Sequence, residues 1–168
     1  VFTTPFTYVA TAEVIALLGA TPVFVDVYEA TYNIDCQKLE IAIQDTIKKG
    51  ELNPKAIIPV DLFGVPARYR LINDIAKKYN LKVIEDGAQS FGASIGEKKV
   101  GTFGDAATTS FYPAKPLGCY GDGGAIFTNN DILADQCKAI RVHGTSSDRY
   151  NSEVIGLNGR LDSMQAAV

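Results

Sequence analysis

The sequence predicts an α/β protein with three layers, α/β/α, built around a mostly parallel sheet. Two observations point there. Short apolar runs alternate with stretches whose apolar residues recur at helical spacing, the pattern of repeated β-α-β units. Several of those runs also end in a carboxylate, as at Asp26, Asp61 and Asp86, and in such sheets ligands bind outside the carboxyl ends of the strands.

The elements follow in order. Residues 1–3 read as the tail of a strand, and 7–18 as a helix that stops at Gly19, a glycine C-terminal signal. Residues 22–25 form a short buried strand. A helix capped by Asp35 or Asn33 runs to about residue 49, with Leu39, Ile43 and Ile47 on one face. Residues 56–60 are a strand, 67–79 a helix and 82–84 a strand. After a Gly-rich segment come strands near 106–111 and 125–128, then a helix from about 131 to 141. The chain ends within an amphipathic helical pattern. The polar stretch 144–153 is the one segment with the composition of a mobile loop.

Composition narrows the class. Apolar residues make up 46% and charged residues 21% of the 168, ordinary for a globular domain with a core. The net charge of −3 comes without a basic block, which argues against a nucleic-acid partner. No apolar stretch approaches a membrane span, no leader pattern opens the chain, and the cytoplasm is the expected location. Cys36, Cys119 and Cys137 match neither a disulfide framework nor a metal-ligand spacing. With one histidine, His143, no metal site is expected, and His143 is assigned no chemistry.

The segment Ser110-Phe111-Tyr112-Pro113-Ala114-Lys115-Pro116-Leu117-Gly118 carries the chemistry. Pro113 and Pro116 stiffen the backbone on both sides of Lys115, and the glycines at 118, 121, 123 and 124 let the loop turn back on itself. An amine held in place on a stiff loop suits a nucleophile; the plain alternative is a solvated surface lysine. Upstream, Lys82-Val83-Ile84-Glu85-Asp86 is an apolar strand ending in two carboxylates. A lysine on a loop and a carboxylate at a strand end are the two groups pyridoxal phosphate requires. The lysine forms a Schiff base with the cofactor aldehyde, and the carboxylate keeps the ring nitrogen protonated. Glu85, one residue earlier, alternates to the other face and is not expected in the site.

Glu85-Asp86-Gly87-Ala88-Gln89, Ser110 to Lys115, and Gly121-Asp122-Gly123-Gly124-Ala125 together resemble the DegT/DnrJ/EryC1/StrS sugar aminotransferases. The resemblance runs from Val1 to Val168 and implies the large domain of the fold type I pyridoxal phosphate transferases. On that likeness residues 1–168 are most of the cofactor-binding domain, with a helical region before them, including a phosphate-binding Gly/Ser/Thr turn, and a smaller domain after them. The likeness also gives roles. Lys115 is the catalytic and cofactor-holding lysine, Asp86 the ring-nitrogen partner, and Gln89 a neighbour of the cofactor's phenolic oxygen. Ser110 is the hydroxyl on the phosphate; a hydroxyl beside backbone amides is a good phosphate ligand. Tyr8, in Pro5-Phe6-Thr7-Tyr8, is the ring stacked on the cofactor, with a core aromatic as the competing role. Asn158, in Gly156-Leu157-Asn158-Gly159, reaches the phosphate of a neighbouring subunit, which requires a homodimer with shared sites; otherwise it is a turn residue. Asp122 is a turn-former after Lys115.

The implied reaction moves an amino group from L-glutamate, leaving 2-oxoglutarate, to a nucleotide-linked keto-sugar, with pyridoxamine phosphate as the intermediate cofactor form and Lys115 as general base and acid. The wording around Pro116-Leu117-Gly118-Cys119-Tyr120 resembles the branch acting on UDP-3-keto-N-acetylglucosaminuronate for surface polysaccharide and lipopolysaccharide; a 4-keto-sugar is the near alternative. A non-catalytic sensor domain of the same fold is a further alternative. A dinucleotide-binding domain is disfavoured, since no G-x-G-x-x-G opens a helix after a strand. Gly92 to Lys98 is not a P-loop, its glycine spacing being one residue short. A Schiff-base aldolase would explain Lys115 but not Asp86, Gln89 and Ser110 together.

Overall fold

The computed structural model describes residues 1–145 and 150–168. Six strands form one sheet: β1 (Phe2–Thr3), β2 (Val23–Phe24), β3 (Ala56–Ile58), β4 (Lys82–Asp86), β7 (Ala106–Ser110) and β8 (Gly124–Phe127). Their order is β2-β1-β3-β4-β7-β8, with β5 (Ser94–Ile95) and β6 (Lys98–Lys99) forming a separate hairpin. Every pairing in the large sheet is parallel except β7 with β8. The helices are α1 (Ala10–Leu17), α2 (Cys36–Lys49), α3 (Tyr69–Tyr79), α4 (Asp131–Arg141) and α5 (Ser163–Ala166).

Strand registry separates two faces. Phe2 pairs Ile57, and Ile57 pairs Val83; all three are buried against Leu39 and Ile43 of α2 and Ile72 and Ile75 of α3. The alternate residues face the other way, towards α1, whose Ile15 and Thr11 are buried. Burying the largest of these side chains contributes about 1.5–3 kcal/mol each, so the α2–α3 face holds most of the core. Tyr69 stacks on Phe103 with centroids 4.7 Å apart, extending the core towards the end of β4.

Of the two caps the sequence offers for α2, Asp35 is the one used, while the Asn33 side chain bonds the Leu62 amide and the Val65 carbonyl. Asp35 accepts from the amides of Gln37 and Lys38 at 2.8 and 3.2 Å, and Gly50 closes the helix with φ at 70°. Its burial ends before Ile47, which is 52% exposed although it shares the heptad face of Leu39 and Ile43. The expected helix over 7–18 is shorter, starting at Ala10, because residues 4–8 turn on their own hydroxyls. Thr4 Oγ accepts from the Phe6 amide, and Thr7 Oγ meets Thr11 Oγ.

The strand expected as buried at 22–25 is an edge strand, and Phe24 is 53% exposed. Strand β3 stops at Ile58; Pro59 has no N–H to donate, and pairing resumes at the isolated Val60–Asp86 bridge. The terminal helix, α5, is only four residues. Of the stretch 144–153 expected as a mobile loop, residues 146–149 lie outside the described residues; its flanks are tied by the Thr145–Ser152 bridge. Among the described residues no helix is long and apolar enough to cross a membrane.

Candidate active site

The carboxyl ends of β1, β3, β4 and β7 lie side by side, and the segments leaving them carry most of the residues singled out in the sequence. Asp86 ends β4. Its amide donates to the Pro59 carbonyl at 2.9 Å and its carbonyl accepts from the Asp61 amide at 3.0 Å, which locks the two strand ends together. Its side chain faces α1, where Thr11 Oγ donates to Oδ2 at 2.8 Å, while Oδ1 accepts from the Ala88 amide at 3.2 Å.

The loop after Asp86 turns at Gly87, whose amide donates to the Thr108 carbonyl at 2.9 Å. A Cβ there would sit 3.1 Å from that carbonyl oxygen, so the close approach favours glycine. Ser90 anchors the far end of the loop by donating to Asp61 Oδ2 at 3.0 Å. Asp61 Oδ1 in turn accepts from the Ala67 amide at 2.8 Å and the Tyr69 hydroxyl at 2.7 Å. Burial pushes the Asp61 carboxyl above the usual range, against the pull of these three donors. Burial also pushes the Tyr69 hydroxyl well up. Between the two anchors Gln89 is exposed at the sheet edge.

Ser110 ends β7, the strand paired with β4, in register two residues beyond the Asp86–Thr108 pair. Its Oγ accepts from the Tyr112 amide at 3.2 Å, and no acceptor for its proton stands among the described residues. The chain then makes the tight loop that carries Lys115. The Lys115 amide donates to the Tyr112 carbonyl and the Cys119 amide to the Phe111 carbonyl, both at 2.8 Å. Gly118 lets the loop close: a Cβ there would fall 2.7 Å from the Pro113 carbonyl oxygen. Lys115 is half-buried, and among the described residues no carboxylate forms an ion pair with its ammonium.

Tyr8 is 77% exposed, which removes the core-aromatic reading and leaves its ring free to stack. Asn158 lies on a segment of its own after α4. It is exposed, bridges Val142 at the end of α4, and accepts from Arg160 Nε at 2.9 Å. His143 donates its amide to the Leu157 carbonyl. Asp122 is exposed in the bend between Lys115 and β8.

Sequence reasoning missed Thr11, Thr7 and the Asp61–Ser90 anchor. The i, i+4 spacing of the two threonines is visible in the sequence, but the partner of Thr11 lies 75 residues away, and no local signal reports it. A groove of about 1120 Å³ between α4 and the β7–β8 pair is lined by none of Tyr8, Asp86, Gln89, Ser110 or Lys115. The candidate site is therefore an open edge of the sheet. Its donor set is a half-buried amine, a carboxylate held by two donors, a hydroxyl with an uncommitted proton and a free aromatic ring. That set fits the aldehyde, ring nitrogen, phosphate and ring face of pyridoxal phosphate. Among the described residues no cluster of His, Cys, Asp and Glu could hold a metal ion.

The sequence model described as the DegT/DnrJ/EryC1/StrS aminotransferase family matches residues 1–168. A UDP-2-acetamido-2-deoxy-3-oxo-D-glucuronate aminotransferase of Pseudomonas aeruginosa is 54% identical over 168 residues, covering 100% of this chain and 45% of that protein. A pleiotropic regulatory protein of Geobacillus stearothermophilus is 52% identical over the same 168 residues, 43% of its length. The crystal structure of a DegT DnrJ EryC1 StrS aminotransferase from Brucella abortus superposes with a TM-score of 0.97 at 55% identity, over 99% of this chain and 45% of that one. The chain thus spans less than half the length of these relatives. With the sheet order, the superposition identifies the fold as the α/β/α fold of such transferases.

Proposed function

The chain belongs to the DegT/DnrJ/EryC1/StrS aminotransferase family, and we propose that it is most of the cofactor-binding domain of a pyridoxal phosphate-dependent aminotransferase acting on a nucleotide-linked keto-sugar. The observation that carries this reading is the shared edge: Asp86 ends one strand, and Ser110, with the Lys115 loop behind it, ends the strand paired to it.

Pyridoxal phosphate, when bound, supplies the electron sink for moving an amino group. Lys115 Nζ would hold its aldehyde and, once the amine of the donor, L-glutamate, has displaced it, would be the free base that takes the proton from the donor's α-carbon. Asp86 holds the proton on the ring nitrogen. Ser110 Oγ would donate to the phosphate, Gln89 would serve the phenolic oxygen, and Tyr8 would cover one ring face and exclude water from it. Asn158, on its separate segment, serves the phosphate of a second subunit, so the working unit is a homodimer.

The substrate we favour is UDP-3-keto-N-acetylglucosaminuronate, on the strength of the Pseudomonas aeruginosa relative at 54% identity. Turnover of that sugar with L-glutamate by the full-length protein, and its loss in Lys115→Ala, tests the reading; activity on a 4-keto-sugar alone would overturn the substrate. The regulatory name of the Geobacillus stearothermophilus relative favours one rival, a domain that binds the cofactor without turnover. It predicts amine-insensitive binding.

A further inference from the structure

Building on the reading above, we propose that Thr7 and Thr11 form a directed hydroxyl relay that positions Asp86 and couples it to the segment carrying Tyr8. The direction follows from counting protons. Thr11 Oγ donates its single hydroxyl proton to Asp86 Oδ2, at 2.8 Å. The contact between Thr7 Oγ and Thr11 Oγ, at 2.9 Å, must then be donated by Thr7. The order is Thr7 to Thr11 to Asp86.

The relay is sheltered, since Thr11 is only 6% exposed. The terminal torsion of an aspartate is broad, so a carboxylate that must meet one ring nitrogen needs holding. Thr11 holds Oδ2 and the Ala88 amide holds Oδ1, leaving each oxygen a lone pair for the cofactor. Thr7 directly precedes Tyr8. A shift of the ring segment away from the sheet would break the Thr7–Thr11 contact, and a rotation of Asp86 would break the next. Thr11 is thus a positioning residue acting through Asp86, and the edge-on charge and the face-on ring move as one unit.

The test uses the full-length protein with Thr11→Val, which keeps the shape and removes the hydroxyl, and Thr11→Ser, which keeps the hydroxyl. Visible titration with pyridoxal phosphate reads cofactor affinity, and loss of the visible band on adding L-glutamate reads the first half-reaction. The relay predicts a loss of about tenfold in affinity for Thr11→Val, slower glutamate bleaching, and recovery to within about twofold in Thr11→Ser. Thr7→Val weakens binding less, and Thr7→Val with Thr11→Val is no worse than Thr11→Val alone. Equal losses in Thr11→Ser and Thr11→Val would reduce Thr11 to a packing residue and overturn the proposal, as would wild-type affinity in Thr11→Val. A cofactor-free readout separates the relay from the functional reading. A double-mutant cycle of Thr11→Val with Asp86→Ala should show coupling of about fivefold or more in the folding equilibrium constant. An uncoupled cycle overturns the relay; a coupled cycle with no visible band in the wild type overturns the functional reading and the cofactor role of the relay with it.

Discussion

Glu85 and Asp86 stand side by side on β4 and turn to opposite faces of the sheet. Glu85, fully buried on the α3 side, accepts from the amides of Gly101 at 2.6 Å and Phe103 at 3.2 Å. Asp86 faces α1 and the open edge, where Thr11 meets it. The pleat thus gives adjacent carboxylates separate tasks: one anchors the turn leading to β7, the other is presented to the candidate site.

Glu85 makes the stability of the protein depend on pH in a defined direction. Burial is the main cause that raises its carboxyl from 4.5 to about 6, and the Asp61 charge adds to it, against the two amide donors. The folded state then binds more protons than the unfolded one between these values, so stability falls as the pH rises across that window. The full effect is about 2 kcal/mol, complete above pH 6. Asp61 is raised as well and adds in the same sense. Urea unfolding at several pH values should show this slope in the wild type and a shallower one in Glu85→Gln. Parallel curves for the two proteins would contradict the assignment.

Asp61→Asn should be costly although it is nearly isosteric. Both Asp61 oxygens accept from protein donors, so an amide NH2 in either position faces a donor. The expected loss is about 1–3 kcal/mol, with weaker cofactor binding because the 87–90 loop loses its Ser90 anchor. Denaturant unfolding and cofactor titration check the two parts; unchanged values in both would remove the anchor role.

The strand–helix alternation, the Asp35 cap and the opposite faces of Glu85 and Asp86 were legible because each rests on local periodicity or capping chemistry. The long-range links were not. Thr11 reads locally as an unremarkable residue in the first turn of α1, and its role exists only once β1 and β4 are neighbours through β3. Phe24 belongs to an apolar run, and nothing within that run reports that its strand closes the sheet at an edge. The β5–β6 hairpin escaped notice because two-residue strands carry no measurable alternation. In the candidate site, the residue types and their order along the chain were readable, whereas the hydrogen bonds that orient them were not.

Gly118→Ala should disturb the Lys115 loop. Its added Cβ would sit 2.7 Å from the Pro113 carbonyl oxygen and 3.0 Å from that of Tyr112, both backbone atoms in the same turn. Relief requires the loop to open, moving Lys115. The expected result is a stability loss of about 1–3 kcal/mol, the range of overpacking, with a larger relative loss of turnover. Gly92→Ala is not an equivalent control, because its φ of 91° strains any side chain there. Full turnover in Gly118→Ala would mean that the loop yields without moving the lysine.

The most direct test of the account is the visible absorption spectrum of the full-length protein with pyridoxal phosphate, before and after L-glutamate, beside the same experiment on Lys115→Ala. The account predicts a yellow band in the wild type that glutamate bleaches and that Lys115→Ala never forms. No band in the wild type, or an unchanged band in Lys115→Ala, would contradict it.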